Sequence, residues 1–172
     1  VDLKRKTNDS YDILIGRGLF SNISSELKSN PIANSYAIIT DSNVEKAFGK
    51  ELLKDFHDKG LHAHLIKFPA GEKYKTRKTK EQIEDRMMKL GFRRDSCIIA
   101  LGGGVVGDVA GFAAATYMRG IPYIQIPTTL LAAMDSAHGG KTALNVGDIK
   151  NQVGSFYPAD SVMIVKSLFE GL

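Results

Sequence analysis

The chain has 172 residues, of which 43% are hydrophobic and 24% are charged. This length supports one domain with a hydrophobic core, and this balance of residues excludes a disordered chain and a membrane protein. The formal net charge of +4 comes from 23 Lys and Arg against 19 Asp and Glu, a small excess that argues against nucleic acid as a partner.

Short runs rich in β-branched and aromatic residues predict six strands, at residues 11–15, 36–40, 62–68, 97–101, 123–126 and 161–165. Apolar residues at helical spacing predict helices between them, at residues 18–28, 44–59, 79–90 and 105–117. Because strands alternate with helices, we expect an α/β fold with a mostly parallel sheet flanked by helices.

Cellular location is indicated by one cysteine and by the absence of long apolar runs. Cys97 lies in a predicted strand, which favours a buried thiol in a reducing compartment. No apolar run reaches the roughly 18 residues of a membrane span, and the first six residues, Val-Asp-Leu-Lys-Arg-Lys, lack the apolar core of a signal peptide. We therefore expect a cytoplasmic protein with no membrane partner.

Periodicity is lost between residues 127 and 158, where Thr, Gly, Asn, Asp and Lys surround short apolar pieces. A polar loop of this length in a compact domain is usually functional, so we predict a binding loop here. Residues 167–172 have the pattern of a new element, and we expect the chain to end at a domain boundary.

A glycine-rich turn connects the strand at 97–101 to the helix at 105–117. Gly102, Gly104 and Gly107 match G-x-G-x-x-G, and a position between strand and helix is the context that this dinucleotide motif requires. Glycines let the backbone approach a pyrophosphate, which the N–H groups at the helix start then bind. We therefore predict a Rossmann-like nucleotide site. In the alternative interpretation, the glycines serve only the tight turn and close helix packing.

The acidic residue that binds the ribose in such sites normally follows the glycines by about 20 residues. That region here reads Ile-Gln-Ile-Pro-Thr-Thr at 124–129, without a carboxylate. The acidic candidate is instead Asp41, after the strand at 36–40. Local sequence alone favours another role for Asp41, as the N-cap of the following helix.

Residues 127–129, 134–142 and 150–151 together supply hydroxyl groups, a carboxylate, two lysines and an amide. This set suits a small anionic ligand with several hydroxyl groups. The run Gly-Gly-Lys-Thr at 139–142 looks like the end of a P-loop. We reject that interpretation because the first glycine of the motif would fall at Asp135.

Several segments resemble the motifs of 3-dehydroquinate synthases in order and spacing. They are residues 40–43, 71–75, 102–108, 113–120, 126–132, 135–136, 139–142 and 150–151. Because these segments are distributed over most of the chain, the resemblance does not depend on one motif.

The resemblance implies a lyase of the shikimate pathway that converts the sugar phosphate 3-deoxy-D-arabino-heptulosonate 7-phosphate to 3-dehydroquinate and phosphate. NAD would be recycled within each turnover, and a zinc or cobalt ion would support the chemistry. Residues 1–172 would form the NAD-binding N-terminal domain of a homodimeric two-domain enzyme. The metal ligands, one Glu and two His, would belong to a helical C-terminal domain, so we expect no metal ligands in this chain and no catalysis by it alone.

The resemblance also assigns NAD contacts to individual residues. They are Asp41, Asn43, Gly71, Glu72, Lys75, Gly103, Gly104, Val105, Val106, Gly107, Asp108, Thr128, Thr129, Asp135, Lys141 and Lys150. Asp41 would bind the adenosine ribose, with Glu72 and Lys75 near the same nucleotide. The glycine loop would surround the pyrophosphate.

The catalytic residues that the resemblance implies are Asp135, Lys141, Asn151 and Arg119. Lys141 and Asn151 would be substrate ligands at the junction with the nicotinamide. Arg119 would reach the substrate phosphate in a neighbouring subunit. Without the resemblance, Arg119 reads as a cation at a helix C-terminus.

Three positions depart from the family pattern. Ser-Ala-His at 136–138 replaces the usual Ser-Ser-Val, Ala70 replaces an acidic residue, and Phe-Glu-Gly at 169–171 replaces Leu-Lys-Thr. A lone histidine in a turn is more often polar surface than a metal ligand, so we do not assign His138 to a metal.

Three alternatives stay open from the sequence. The chain could belong to another sugar-phosphate cyclase, of the 2-deoxy-scyllo-inosose or valiolone type, which shares the NAD site. It could instead belong to an oxidoreductase of the glycerol dehydrogenase type, which has a related two-domain plan, although the run of residues 135–151 argues against this. A stand-alone nucleotide-binding module is the non-enzymatic reading.

Overall fold

The computed structural model describes residues 8–169. The expectations for the first six residues, and in part those for residues 167–172, concern positions outside this range. None of the described helices is long and apolar enough to cross a membrane.

Strands and helices alternate along the described chain. The strands are β1 (Asp12–Gly16), β2 (Ser35–Asp41), β3 (Ala63–Phe68), β4 (Ser96–Gly102), β5 (Tyr123–Pro127), β6 (Lys141–Val146), β7 (Ile149–Phe156) and β8 (Ser161–Val165). The α-helices are α1 (Leu19–Ser29), α2 (Ser42–Val44), α3 (Lys50–Asp58), α4 (Arg77–Lys89) and α5 (Gly104–Thr116). Two π-helical turns, Glu45–Gly49 and Ala132–Ser136, and three 3-10 turns, Glu72–Tyr74, Tyr117–Arg119 and Lys166–Phe169, complete the described elements.

Six strands form one parallel sheet in the order β1-β8-β5-β4-β2-β3. The predicted α/β Rossmann-like fold is therefore confirmed, and the six predicted strands agree with the structure to within one residue at each end. From β2 the chain continues to β3 at the edge of the sheet. From β4 it continues in the opposite direction across the sheet, to β5. The crevice between β2 and β4 is thus the switch point where ligands bind in open α/β sheets.

Helices cover both faces of the sheet. Ala37 and Ile39 of β2 are buried with residues of α4 and α5, whereas Tyr36 and Ile38 are buried with residues of α1 and α3. This alternation follows from the two-residue period of a strand. Cys97 is buried in the second cluster, as predicted.

The prediction of an irregular loop over 127–158 was wrong in part, because β6 and β7 form an antiparallel hairpin there. In β6 the buried residues Thr142 and Leu144 alternate with more exposed ones. An alternation of only two buried residues is too short to distinguish a strand from a loop in the sequence. The two-residue connection Gly147-Asp148, with Gly147 at φ +58°, is the turn signal that sequence reasoning missed.

Helix α5 lies close to both the sheet and the hairpin because glycines occupy its contact positions. A Cβ added at Gly107 would lie 2.7 Å from Gln125 Oε1. At Gly111 it would lie 2.5 Å from Thr142 Cγ2 and 3.2 Å from Tyr123 Oη. These two glycines therefore set how closely β5 and β6 approach the helix.

We predict that Gly111→Ala lowers the free energy of unfolding by up to about 2 kcal/mol, measured by urea denaturation. Alanine is favoured by about 1 kcal/mol in a helix interior, but overpacking against Thr142 costs roughly 1–3 kcal/mol. Thr142→Ser removes the opposing methyl and keeps the hydroxyl that donates to Ser155 O at 2.9 Å. The double variant should therefore recover most of the loss, and a double variant as unstable as Gly111→Ala would contradict this packing.

Candidate functional site

The glycine loop leaves the start of α5 open to a ligand. Strand β4 ends at Gly102, and Gly103 is an N-cap residue with no side chain to cover the first helical N–H groups, which have no intrahelical acceptors. A Cβ at Gly103 would lie 3.2 Å from Thr129 Cγ2, and one at Gly104 would lie 2.9 Å from Ser136 Oγ. The backbone therefore forms a narrow, positively polarised cradle that suits an anion.

Asp41 ends β2, next to β4, and thus lies beside the glycine loop in the sheet. Its Oδ1 accepts the backbone N–H groups of Asn43 at 2.8 Å and Val44 at 3.0 Å. The capping role that local sequence favours is confirmed. Because both bonds use Oδ1, Oδ2 can accept a hydrogen bond from a ligand hydroxyl.

Thr128 and Thr129 follow β5, the neighbour of β4 on the other side. Thr128 is buried, and its N–H donates to Gly102 O at 3.0 Å. Thr129 is exposed, and its Oγ1 accepts the N–H of Ala132 at 3.2 Å. Both threonines thus shape the loop that packs against the glycines.

A buried ion pair joins Lys75 to Asp108, whose side chains retain 7% and 15% of their accessible surface. Lys75 Nζ also donates to Asn151 Oδ1 at 2.6 Å, and the N–H of Ala143 donates to the Asp108 carboxylate. Burial raises the pKa of Asp108 above its ordinary value, and the nearby Lys75 opposes that rise only in part. Residues from the β3–α4 connection, α5 and the hairpin therefore meet at one point.

The hairpin and the loop after β5 border an open cavity of about 500 Å³ next to this ion pair. It is lined by Asp108, Asp135, Ser136, His138, Lys141, Thr142, Ala143, Asn151, Gly154, Ser155 and Phe156. Four predicted site residues, Asp108, Asp135, Lys141 and Asn151, are thus brought together. Ser136 connects the cavity to the glycine loop, because it also faces Gly104.

Two predicted residues, Glu72 and Lys150, line a different cavity of about 380 Å³ at the tip of the hairpin. Asn145, which sequence reasoning missed, also lines this smaller cavity and is hydrogen-bonded to Asn151 of the larger one. The side chain of Asn145 donates to Glu72 Oε1 at 2.8 Å and accepts the N–H of Asn151 at 3.0 Å.

The remaining predicted residues differ in how they could contact a ligand. Val106 is buried beneath Gly102, so only its backbone could take part. Gly71, at φ +120°, and Asn43 are exposed near the ends of β3 and β2. Arg119 is exposed at φ +68°, after the far end of α5.

His138 Nε2 lies 2.7 Å from Ala133 O, a bond that fixes the ring within its own turn. No group of three His, Cys, Asp or Glu side chains within residues 8–169 is placed to hold a metal ion. The histidine therefore has a local structural partner.

The chain is similar to known proteins in sequence and in structure. The family model "3-dehydroquinate synthase N-terminal" matches residues 65–172. The 3-dehydroquinate synthase of Clostridium kluyveri is 44% identical over 164 residues, which are 95% of this chain and 45% of that protein. The chain therefore spans about half the length of the curated relatives that it matches.

Two solved cyclase structures have the same fold. A 2-deoxy-scyllo-inosose synthase complexed with carbaglucose-6-phosphate, NAD+ and Co2+ gives a TM-score of 0.86 at 33% identity, covering 94% of this chain and 44% of that one. The 2-epi-5-epi-valiolone synthase ValA from Streptomyces hygroscopicus, with NAD+ and Zn2+ bound, gives 0.88 at 28% identity, covering 100% and 47%.

A glycerol dehydrogenase from Schizosaccharomyces pombe is more distant, with a TM-score of 0.69 at 19% identity, covering 97% of this chain and 41% of that one. At this identity the likeness shows a shared fold and nothing about activity.

We predict that Lys75→Met lowers the free energy of unfolding by roughly 3 kcal/mol at pH 7, because it leaves a buried carboxylate without its cation. In this variant the pKa of Asp108 in the folded state should rise further above the ordinary value of 3.8. The loss of stability is then complete at pH values above this raised pKa, and it becomes smaller as the pH falls toward 3.8 because the carboxylate is protonated. Urea denaturation of variant and wild type across this pH range measures the difference.

The matched control is Lys75→Met with Asp108→Asn, which removes both charges and keeps an acceptor for the Ala143 N–H. Its stability should lie within about 1 kcal/mol of wild type at all these pH values. If the loss of unfolding free energy in Lys75→Met does not change with pH, its origin is not electrostatic.

Proposed function

The chain belongs to the 3-dehydroquinate synthase family, and we propose that it is the NAD-binding part of an enzyme that forms 3-dehydroquinate and phosphate from 3-deoxy-D-arabino-heptulosonate 7-phosphate. Curated 3-dehydroquinate synthases are 42–46% identical to it over at least 90% of its length. The solved cyclases of other types are 28–33% identical. The higher identity favours the dehydroquinate reaction over the 2-deoxy-scyllo-inosose and valiolone reactions.

The observation that carries the proposal is the continuity of the glycine cradle with the polar cavity. A pyrophosphate on the first N–H groups of α5 lies beside Gly103 and Gly104, where a Cβ would meet Thr129 or Ser136. Asp41 lies on the β2 side of the cradle, where Oδ2 can accept a ribose hydroxyl. The described residues therefore fit a dinucleotide whose adenosine lies toward β2 and whose nicotinamide lies toward the cavity.

NAD, when bound, supplies a reversible hydride transfer, and this chain's residues orient the reacting groups around it. Lys141 and Asn151 present donors to the carboxylate, hydroxyl or phosphate oxygens of a sugar acid phosphate. Asp135 accepts from a hydroxyl group at the other side of the cavity. The Lys75–Asp108 pair holds the cavity wall at nearly zero net charge, so a bound anion meets no unpaired carboxylate from α5.

The metal of the reaction is assigned to another part of the enzyme. Since the His, Cys, Asp and Glu side chains at positions 8–169 form no ligand cluster, these residues do not fit a zinc or cobalt site. The relatives are more than twice as long as this chain, so a second, metal-binding domain is part of the proposal. The buried Cys97 thiol supports a cytoplasmic enzyme.

We predict that the chain binds NAD in the high-micromolar to millimolar range, because it presents the cradle and Asp41 without a second domain to enclose the ligand. Isothermal titration calorimetry with NAD measures this binding. We expect no phosphate release from 3-deoxy-D-arabino-heptulosonate 7-phosphate when NAD and zinc or cobalt are added. Absence of NAD binding at millimolar concentration, or turnover by the chain alone, would each contradict the proposal.

Arg119 provides a test of the proposed homodimer. Helix α5 has 13 residues, so its far end lies about 20 Å from the glycine cradle at 1.5 Å per residue. Arg119 follows that end and is exposed, which suits a guanidinium that binds the phosphate in a partner's site. In the complete enzyme, Arg119→Ala and Lys141→Ala should each abolish most activity.

A mixture of these two inactive variants should regain up to about a quarter of wild-type activity, because a mixed dimer rebuilds one intact site. Phosphate release measures the regained activity, and each variant incubated alone is the control. If proven subunit exchange restores nothing, Arg119 acts within its own subunit or only at the interface.

A further inference from the structure

Asn145 contacts three of the residues that sequence reasoning assigned to the cofactor or the substrate. Its N–H donates to Lys75 O at 2.9 Å, and its Nδ2 donates to Glu72 Oε1 at 2.8 Å. Its Oδ1 accepts the N–H of Asn151 at 3.0 Å. Asn145 lies where the β6–β7 register is irregular, and one residue thus ties the β3–α4 connection to β7.

These bonds determine which atoms Asn151 offers to a ligand. Asn151 has φ +56°, a left-handed conformation that carries a strain cost for residues other than glycine, and the bond to Asn145 helps to hold it. Since an ammonium group only donates, Lys75 Nζ fixes the Asn151 amide with Oδ1 toward the lysine. The Asn151 Nδ2 group is then free to donate to a ligand oxygen in the larger cavity.

We propose that Asn145 is a positioning residue that sets Lys75 and Asn151 for the nicotinamide half of the dinucleotide. This inference rests on the nucleotide-binding function proposed above and adds a residue that acts without touching the ligand. The resemblance places Glu72 and Lys75 near the adenosine nucleotide, but in the structure Lys75 Nζ contacts Asp108 and Asn151, which line the larger cavity. Asn145 reaches that cavity through Lys75 and Asn151, whereas the adenosine side is built on β2 and the glycine cradle. Its loss therefore affects one half of the ligand.

The experiment compares NAD with ADP, which has the adenosine and two phosphates and lacks the nicotinamide and its ribose. Calorimetry on the 172-residue chain should show that Asn145→Ala weakens NAD about 5- to 10-fold, the effect of one or two lost hydrogen bonds. The same variant should change the dissociation constant of ADP by less than about 2-fold, a selectivity that general damage to the fold does not produce.

Gln152→Ala is the matched control, because Gln152 is exposed on the same hairpin next to Asn151. It should leave the affinities for both ligands unchanged within about 2-fold. Thermal melting followed by circular dichroism monitors the fold of each variant.

A second pair of variants tests the bond to Glu72 without deleting a side chain. Asn145→Asp keeps the acceptor for the Asn151 N–H but places a second carboxylate beside that of Glu72. The two negative charges repel each other, so NAD affinity should fall at neutral pH. Adding Glu72→Gln supplies an amide donor to the new carboxylate. Affinity in the double variant should return to within about 2-fold of Glu72→Gln alone, and this pair decides the question if Asn145→Ala does not fold.

Three results overturn the proposal. They are equal weakening of NAD and ADP by Asn145→Ala, unchanged NAD affinity in that variant, and an equal loss with Gln152→Ala. Failure of the wild-type chain to bind either ligand is a different outcome, because it contradicts the nucleotide-binding function itself and removes the role of Asn145 with it.

Discussion

The close approach of α5 to its neighbours is the constraint on which the rest of the structure depends. Val106, Val109, Ala110, Ala113 and Ala114 are all buried, so this helix needs cover on more than the side that faces the sheet. The β6–β7 hairpin supplies that cover, and Gly107 and Gly111 remove the side chains that would hold β5 and β6 away. The burial of apolar residues of α5 therefore holds the hairpin beside the glycine loop.

That packing has an electrostatic consequence in the Lys75–Asp108 pair. Asp108 belongs to α5 and accepts from the hairpin, so closing the hairpin onto the helix takes the carboxylate out of water. The pKa of Asp108 is raised although a cation is in contact with it, which shows that desolvation outweighs the attraction. A buried pair of this kind is weak evidence for stability, and its position at the wall of a polar cavity fits a functional role better.

The sequence predicted the sheet well because each strand is an apolar run between helices or turns, a signal that local side-chain patterns carry. It did not predict the hairpin, since β7 is mostly exposed and polar and is stabilised by its contact with β6 and α5. The capping of α2 by Asp41 was predictable from local sequence. The pairing of Lys75 with Asp108, 33 positions apart, was not, because it depends on which turn of α5 faces the β3–α4 connection.

Large apolar side chains remain exposed at the cavity that the hairpin forms and in the segment just before Asp135, which lines that cavity. Phe156 lines the cavity and is 82% exposed, and Leu131 and Met134, in the segment after β5, are 74% and 73% exposed. Exposed apolar side chains beside a polar cavity are typical of interaction surfaces and of ligand-binding grooves. A nicotinamide held at this cavity would face solvent in the chain alone, where hydride transfer has no protection from water. If the chain has the function proposed above, this surface is the place where a second domain would shield the nucleotide from solvent.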